Sequence, residues 1–311
     1  MSSIKHYVSF GLASFLFLAA SSARADGLLV APSKLAPAAR TSLGKDIAGA
    51  KRDLAGVRAK VRDVQSVKPE VYKKRRNPIP EASLELKSLG KDALVPMLEA
   101  LAFDASQPGL DAREREALVV GMLSAVGDIR DARSTPVLSA ILDGETSATP
   151  AALAASIALG KACGPNEIKV LTAKSAEGSS VRAAAIQGLG ECRTRESANA
   201  LVAASKSASD TATQRAAVRG LGTLGSSWAW AAMGKADDQE AIDVRTLASD
   251  RLIEVFVKTA ELRTDTSRAI LKCDAPNALE RVRSAKKGAD AETVKALEGV
   301  ERLLKKQAAR R

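Results

Sequence analysis

Residues 179–225 read SSVRAAAIQGLGECRTRESANALVAASKSASDTATQRAAVRGLGTLG, and one short phrase occurs in them twice. AAAIQGLG, from Ala183 to Gly190, returns as RAAVRGLG, from Arg215 to Gly222. Self-similarity at a period of about 20–50 residues marks stacked repeats, each a supersecondary unit that buries its apolar face only against its neighbours. Outward from this stretch the landmark is an apolar residue followed by Gly: Leu89-Gly90, Val126-Gly127, Leu159-Gly160, Leu189-Gly190 and Leu221-Gly222, at intervals of 37, 33, 30 and 32 residues. These glycines are expected to end helices in the left-handed conformation that L-residues avoid. The helix before each is rich in small residues, as in Ala151 to Ala158, Ala183 to Ala185, and Ala216 with Ala217, which permits close approach. The helix after it carries larger apolar residues at helical spacing, such as Val137, Leu138, Ile141 and Leu142. The pattern predicts an all-α fold, a right-handed α-solenoid of helical hairpins over residues 81–260.

The flanks differ in composition. Residues 1–25 have a basic start (Lys5), an apolar run from Val8 to Ala20 and a small-residue exit at Ala23-Arg24-Ala25, the form of a secretory signal cleaved after Ala25. That reading predicts a secreted or periplasmic protein with no transmembrane span after cleavage. Residues 26–40 hold two prolines among alanines without period and read as a flexible leader. From 41 to 80, Leu43, Ile47, Ala50, Leu54, Val57, Val61 and Val64 form a heptad seam, stopped by Lys68-Pro69. This helix either caps the first repeat or dimerises. The basic connector Tyr72-Lys-Lys-Arg-Arg76 follows it. Residues 261–311 read as a helical cap with a basic tail, because the last unit of a solenoid has no neighbour to cover it.

The repeated segments LSAVGDIRDARSTPVLSAIL from Leu123, SSVRAAAIQGLGECRTRESANALVAA from Ser179 and TATQRAAVRGLGTLG resemble HEAT repeats, in particular the short type also found in phycobilisome lyases. A degenerate sixth copy begins at Ile242-Asp-Val-Arg-Thr-Leu, with Val244-Arg245 two periods after Val181-Arg182. The resemblance implies an armadillo-like superhelix whose members are scaffolds, partner-binding arrays and a few enzymes. It also implies that Arg182 and Arg245 either brace neighbouring repeats or face a ligand. The copy near Ala152 lacks this Arg, and Trp228-Ala-Trp230 replaces the usual apolar helix start in the fifth unit.

Absent chemistry narrows the function. The single histidine, His6, falls within the signal, so residues 26–311 offer no imidazole for metal binding, nucleophile activation or acid/base work. Phosphate loops, CxxC, HExxH, GxSxG and calcium loops are missing, and Asp237-Asp238-Gln239-Glu240 reads as helix-start and turn residues. No cofactor and no metal are expected. The formal charge of +11 is unevenly placed: +8 over residues 26–76, −4 over 77–260 and +5 over 261–311. An acidic array between basic flanks does not fit a nucleic-acid groove. Cys163, Cys192 and Cys273 are an odd number; Cys163 and Cys192 sit in equivalent turns of adjacent repeats and can pair only if those turns bend to within about 7 Å.

The expected function is therefore protein binding by an exported, non-catalytic scaffold, on a concave row of small-residue helices. Trp228, Trp230, Arg182, Arg219 and Arg245 are the partner-binding candidates, since Trp and Arg dominate interface hot spots. Trp228 and Trp230, at i and i+2, point to different sides of a helix; either one is core and the other exposed, or both enter a thick inter-repeat contact. Two other readings remain: attraction of the basic flanks (Lys51 to Arg76 and Lys305 to Arg311) to an anionic envelope surface, and a lyase-like or thiol enzyme.

Overall fold

Alanine and leucine at three- and four-residue spacing give helices with one apolar stripe, and a stripe is buried only by another helix. The computed structural model describes residues 27–72, 79–104 and 110–309, and among them it contains seventeen α-helices and no strand. Preceding the array are α1 (Pro37–Asp53), α2 (Ala55–Arg62) and α3 (Pro69–Tyr72). The array runs through α4 (Ile79–Ser88), α5 (Leu94–Ala102), α6 (Ala112–Ile129), α7 (Thr135–Gly144), α8 (Pro150–Ala162), α9 (Pro165–Lys174), α10 (Arg182–Leu189), α11 (Arg195–Ser207), α12 (Thr211–Leu224) and α13 (Ser227–Ala232). Four more complete the chain: α14 (Gln239–Lys258), α15 (Arg263–Cys273), α16 (Ala278–Ala285) and α17 (Ala291–Ala308). Helices α4, α6, α8, α10 and α12 pack consecutively as one layer, and α5, α7, α9 and α11 as a second. Helix starts are fixed locally: Asp111 and Glu114 form a capping box, and Thr149, Thr194 and Asp210 each accept a bond from the backbone N–H three residues on.

The landmark glycines act differently from the expectation. Of the five, Gly90 alone has a positive φ, at 71°; Gly127, Gly160 and Gly222 lie inside helices and Gly190 ends one in the right-handed region. The left-handed helix ends belong to Arg130, Cys163 and Asp274, with φ of 58°, 55° and 46°. What the glycines supply is proximity. A Cβ on Gly190 would lie 2.7 Å from the Gly220 Cα, and one on Gly127 2.8 Å from the Ala158 Cα. A Cβ on Gly160 would overlap the Gly188 carbonyl, and one on Gly188 the Ser156 carbonyl. Each missing side chain lets one backbone seat against the next, so these positions set the spacing from α6 through α12. The same approach joins Cys163 and Cys192 in a disulfide with a Cα–Cα distance of 5.0 Å across a separation of 29 residues. In the chain-entropy model a loop of that length is stabilised by about 3–4 kcal/mol.

Regular alternation changes after α12. Helix α13 has six residues and cannot cover a neighbour along its length; the 20-residue α14 packs on both α11 and α12, while α15 packs on α12. Gly222 again marks the approach, because a Cβ there would lie 2.8 Å from that of Ala269. The expected sixth copy at Ile242 is thus the body of α14, which continues the α11 layer, with α15 continuing the α12 layer.

Both ends are closed. The expected flexible leader is docked: the Leu28 N–H donates to the Ala100 carbonyl at 2.9 Å, Leu29 and Val30 donate to the Leu101 carbonyl at 3.1 and 3.2 Å, and Val30 and Leu35 are buried. Its backbone is thereby fastened to the C-terminal end of α5. The heptad helix is two helices broken at Leu54, and both α1 and α2 lie on α5 with Leu43, Ile47, Ala50 and Val61 buried. Arg58 of α2 makes a two-pronged bond to the buried Glu99 of α5, at 2.8 and 2.7 Å, which raises the guanidinium pKa. The signal segment 1–25 and connector residues 73–76 lie outside the described residues. At the other end α17 covers α15 and α16, burying Leu297, Val300 and Leu304. Glu301 there receives Lys286 at 2.6 Å, Lys305 at 2.9 Å and Arg283 at 3.0 Å, which together hold its carboxyl down to about 2.

Two outcomes are expected. Gly188→Ala lowers stability by about 1–3 kcal/mol through overpacking, whereas Gly299→Ala, at a helical position where a Cβ meets nothing within 4 Å, raises it by up to about 1 kcal/mol. Urea unfolding measures both, and a gain in both refutes the close-approach role. A carboxyl held below its ordinary value stabilises the fold above that value and stops doing so as pH falls through its folded pKa. The stability difference between the native chain and Glu301→Gln should therefore be full above pH 4.5 and vanish near pH 2.

Candidate functional site

The tryptophan pair sits on α13, where residues two apart are about 200° apart around the axis. The Ser226 hydroxyl caps the helix, accepting from the Ala229 N–H at 3.4 Å. Trp230 is 1% exposed and its Nε1–H donates to the Leu224 carbonyl at 2.9 Å. Trp228 is 79% exposed, and Met233 just beyond the helix is exposed as well. One indole therefore fastens the short helix to the end of α12 while the other stands in solvent. An indole has few rotatable bonds and a large apolar face, so its burial by a partner costs little conformational entropy.

The arginine candidates separate. Arg182 and Arg245 are each 7% exposed, and their guanidinium groups are spent internally, which removes both from any partner surface. Arg182 Nε donates to the Ser175 carbonyl at 3.2 Å and a terminal nitrogen to Ser207 Oγ at 2.8 Å, tying the C-terminal ends of α9 and α11. Arg245 does the same one region on, donating to the carbonyls of Cys273 at 3.1 Å and Ala236 at 3.4 Å, and to that of Asp274. Helix C-termini carry unpaired carbonyls and partial negative charge, which a buried Arg satisfies: Arg182 serves the Ser175 carbonyl at the end of α9, and Arg245 the Cys273 and Asp274 carbonyls at the end of α15. Arg219 lies on the solvent side of α12. The small residues of α8, α10 and α12, among them Ala155, Ala185 and Ala217, are buried in inter-helix contact.

Few groups are left free for reactive chemistry. A cleft of about 460 Å³ between α11, α12 and α14 is lined by Lys206, Arg251, Glu254 and Lys258. Its central cation is engaged: Arg251 bonds Ser205 Oγ at 2.6 Å, the Ser205 carbonyl at 3.0 Å and Glu254 at 2.8 Å. The remaining thiol, Cys273, is buried, and desolvation pushes it up to about 12, so it is not a thiolate nucleophile. No group of three or more metal-ligating side chains occurs among the described residues. Within the basic flanks, Lys51 and Arg58 meet Glu99, Arg62 meets Asp104, and Lys68 meets Asp63. Sequence reasoning missed Arg251, Glu99 and Glu301: their partners Ser205, Arg58 and Arg283 lie 46, 41 and 18 residues away, and only Glu301–Lys305 and Arg251–Glu254 stand at helical spacing.

Stacked helical hairpins packed in two consecutive layers define an α-solenoid. A scan against protein-family models matches residues 169–252, from α9 into α14, to HEAT repeats. These residues match HEAT repeats, and the consecutive packing of the helix pairs around them is that of a HEAT-type solenoid. A search of curated proteins finds no match to the chain. HEAT repeats typically serve as protein-interaction scaffolds and are generally non-catalytic. No helix among the described residues is long and apolar enough to cross a membrane.

The two indoles should respond oppositely. Trp230→Ala costs about 3–5 kcal/mol of stability by emptying a core site, while Trp228→Ala changes it by less than about 0.5 kcal/mol. Denaturant titration of the two variants decides; equal losses would mean that Trp228 is part of the core.

Proposed function

We propose that this chain is an exported, non-catalytic HEAT-repeat scaffold that holds a protein partner on its concave helical surface, with Trp228 as a principal contact. The observation that carries the reading is the exposure of Trp228, 79%, on a helix held in place by its buried twin Trp230. Exposed tryptophan on a rigid element is the commonest kind of interface anchor. Arg219, the candidate arginine that is exposed, is offered as a further contact. Export is supported by the signal-like segment at residues 1–25 and by the Cys163–Cys192 disulfide, a bond that persists in oxidising compartments.

The test is affinity capture from a cell-envelope extract with the native chain and Trp228→Ala side by side. The native chain should retain one specific protein, which the variant loses by at least tenfold while its circular dichroism stays unchanged. Equal capture by both removes Trp228 from the surface; capture of anionic lipid in place of protein removes the scaffold reading.

A further inference from the structure

Helices α15 and α17 pack over part of their length and then leave an open groove of about 580 Å³. Its floor is apolar, with Phe256, Leu271 and Leu303, and Leu303 is 46% exposed. Its rim carries Arg263, Arg268 and Arg302, and no carboxylate lines it. Arg263 is engaged by Glu292 at 2.6 Å and by Thr293 at 2.7 Å. Arg268 and Arg302 are exposed and have no ion-pair partner among the described residues.

Gly299 is the second observation. It stands in the middle of α17, in a helix otherwise made of good helix formers, and a Cβ there would meet nothing within 4 Å. Glycine is the poorest interior helix residue after proline. Gly127, Gly160, Gly188 and Gly222 each face the next helix, whereas Gly44 and Gly49 of α1 and Gly56 of α2, like Gly299, meet nothing within 4 Å. What sets Gly299 apart from these three is that it lines the open groove between α15 and α17. The walls run from residue 264 to 271 on α15 and from 296 to 303 on α17, two turns each, about 10 Å at the helical rise.

We propose that this groove is a docking site for an amphipathic helix of a partner protein, leucine-type residues down into the groove and glutamate or aspartate out toward Arg268 and Arg302. The occupant lies against Gly299 as α10 lies against Gly160, so the partner extends the solenoid by one helix. Two unpaired guanidinium groups at the rim and no carboxylate select an acidic partner over a basic one. The proposal rests on the scaffold reading above and assigns it a second, separate contact.

The experiment is fluorescence anisotropy of the full chain with a fluorescein-labelled amphipathic peptide of about fourteen residues, leucine on one face and glutamate on the other. Saturable binding is expected, weakened at least tenfold by the double substitution Arg268→Glu/Arg302→Glu, and again by raising salt to about 0.5 M. Gly299→Gln should weaken it as much while leaving the thermal transition no lower than that of the native chain. Unchanged affinity in both variants overturns the proposal, as does equal binding of the lysine version of the peptide. Binding of phosphatidylglycerol vesicles with the same residue dependence, in place of the peptide, overturns it in favour of a lipid. Failure of the peptide together with intact Trp228-dependent capture leaves the scaffold standing and removes this groove alone; loss of peptide binding in Trp228→Ala alone moves the site to α13 and overturns the proposal.

Discussion

The constraint on which this molecule depends is the distance between successive backbones in one layer of helices. Where α8 meets α10, and α10 meets α12, no side chain intervenes at Gly160, Gly188, Gly190 or Gly220. Dispersion falls steeply with a gap of even half an ångström, so contact of backbone with backbone recovers attraction that two alanines would forfeit. The helices so joined place the turns after them side by side, and the disulfide, the arginine braces and the alignment of the second layer follow. Because each helix contacts its neighbours and little else, the fold is a chain of interfaces with no single central core.

Two arginines repeat this logic in polar form. Arg182 and Arg245 hold loose carbonyls at the ends of α9 and α15, which are buried acceptors and need a donor from outside their own helix end. Their burial explains why the arginines most visible in the repeat are unavailable to any ligand. The residues left free are the irregular ones: Trp228, because α13 is too short to be covered, and Arg268 with Arg302, because the groove they rim between α15 and α17 is open.

Much of the architecture was legible in the chain. The phrase shared by Ala183–Gly190 and Arg215–Gly222 set the period, and helical spacing set the elements, because both depend on near neighbours in sequence. The role of the glycines was misjudged for a physical reason: a helix-ending Gly and a helix-approaching Gly look alike until the opposing backbone is in view. The leader at residues 26–40 looked flexible because it lacks a period, yet three backbone bonds to Ala100 and Leu101 hold it; backbone pairing leaves no mark on composition. The indole pair was ambiguous for the same reason. Helical phase separates Trp228 from Trp230, but which of them meets α12 depends on how the chain enters α13.

The Cys163–Cys192 bond has a mechanical meaning. A stacked array pulled from its two ends yields one hairpin at a time, each interface peeling at its own force. Here the tension passes from the end of α8 across two sulfur atoms to the end of α10, so α9 and α10 lie in a shunt that carries no load. Stretched between anchors, the chain would lengthen everywhere except in those 29 residues, keeping one turn of the spring closed while the rest opens.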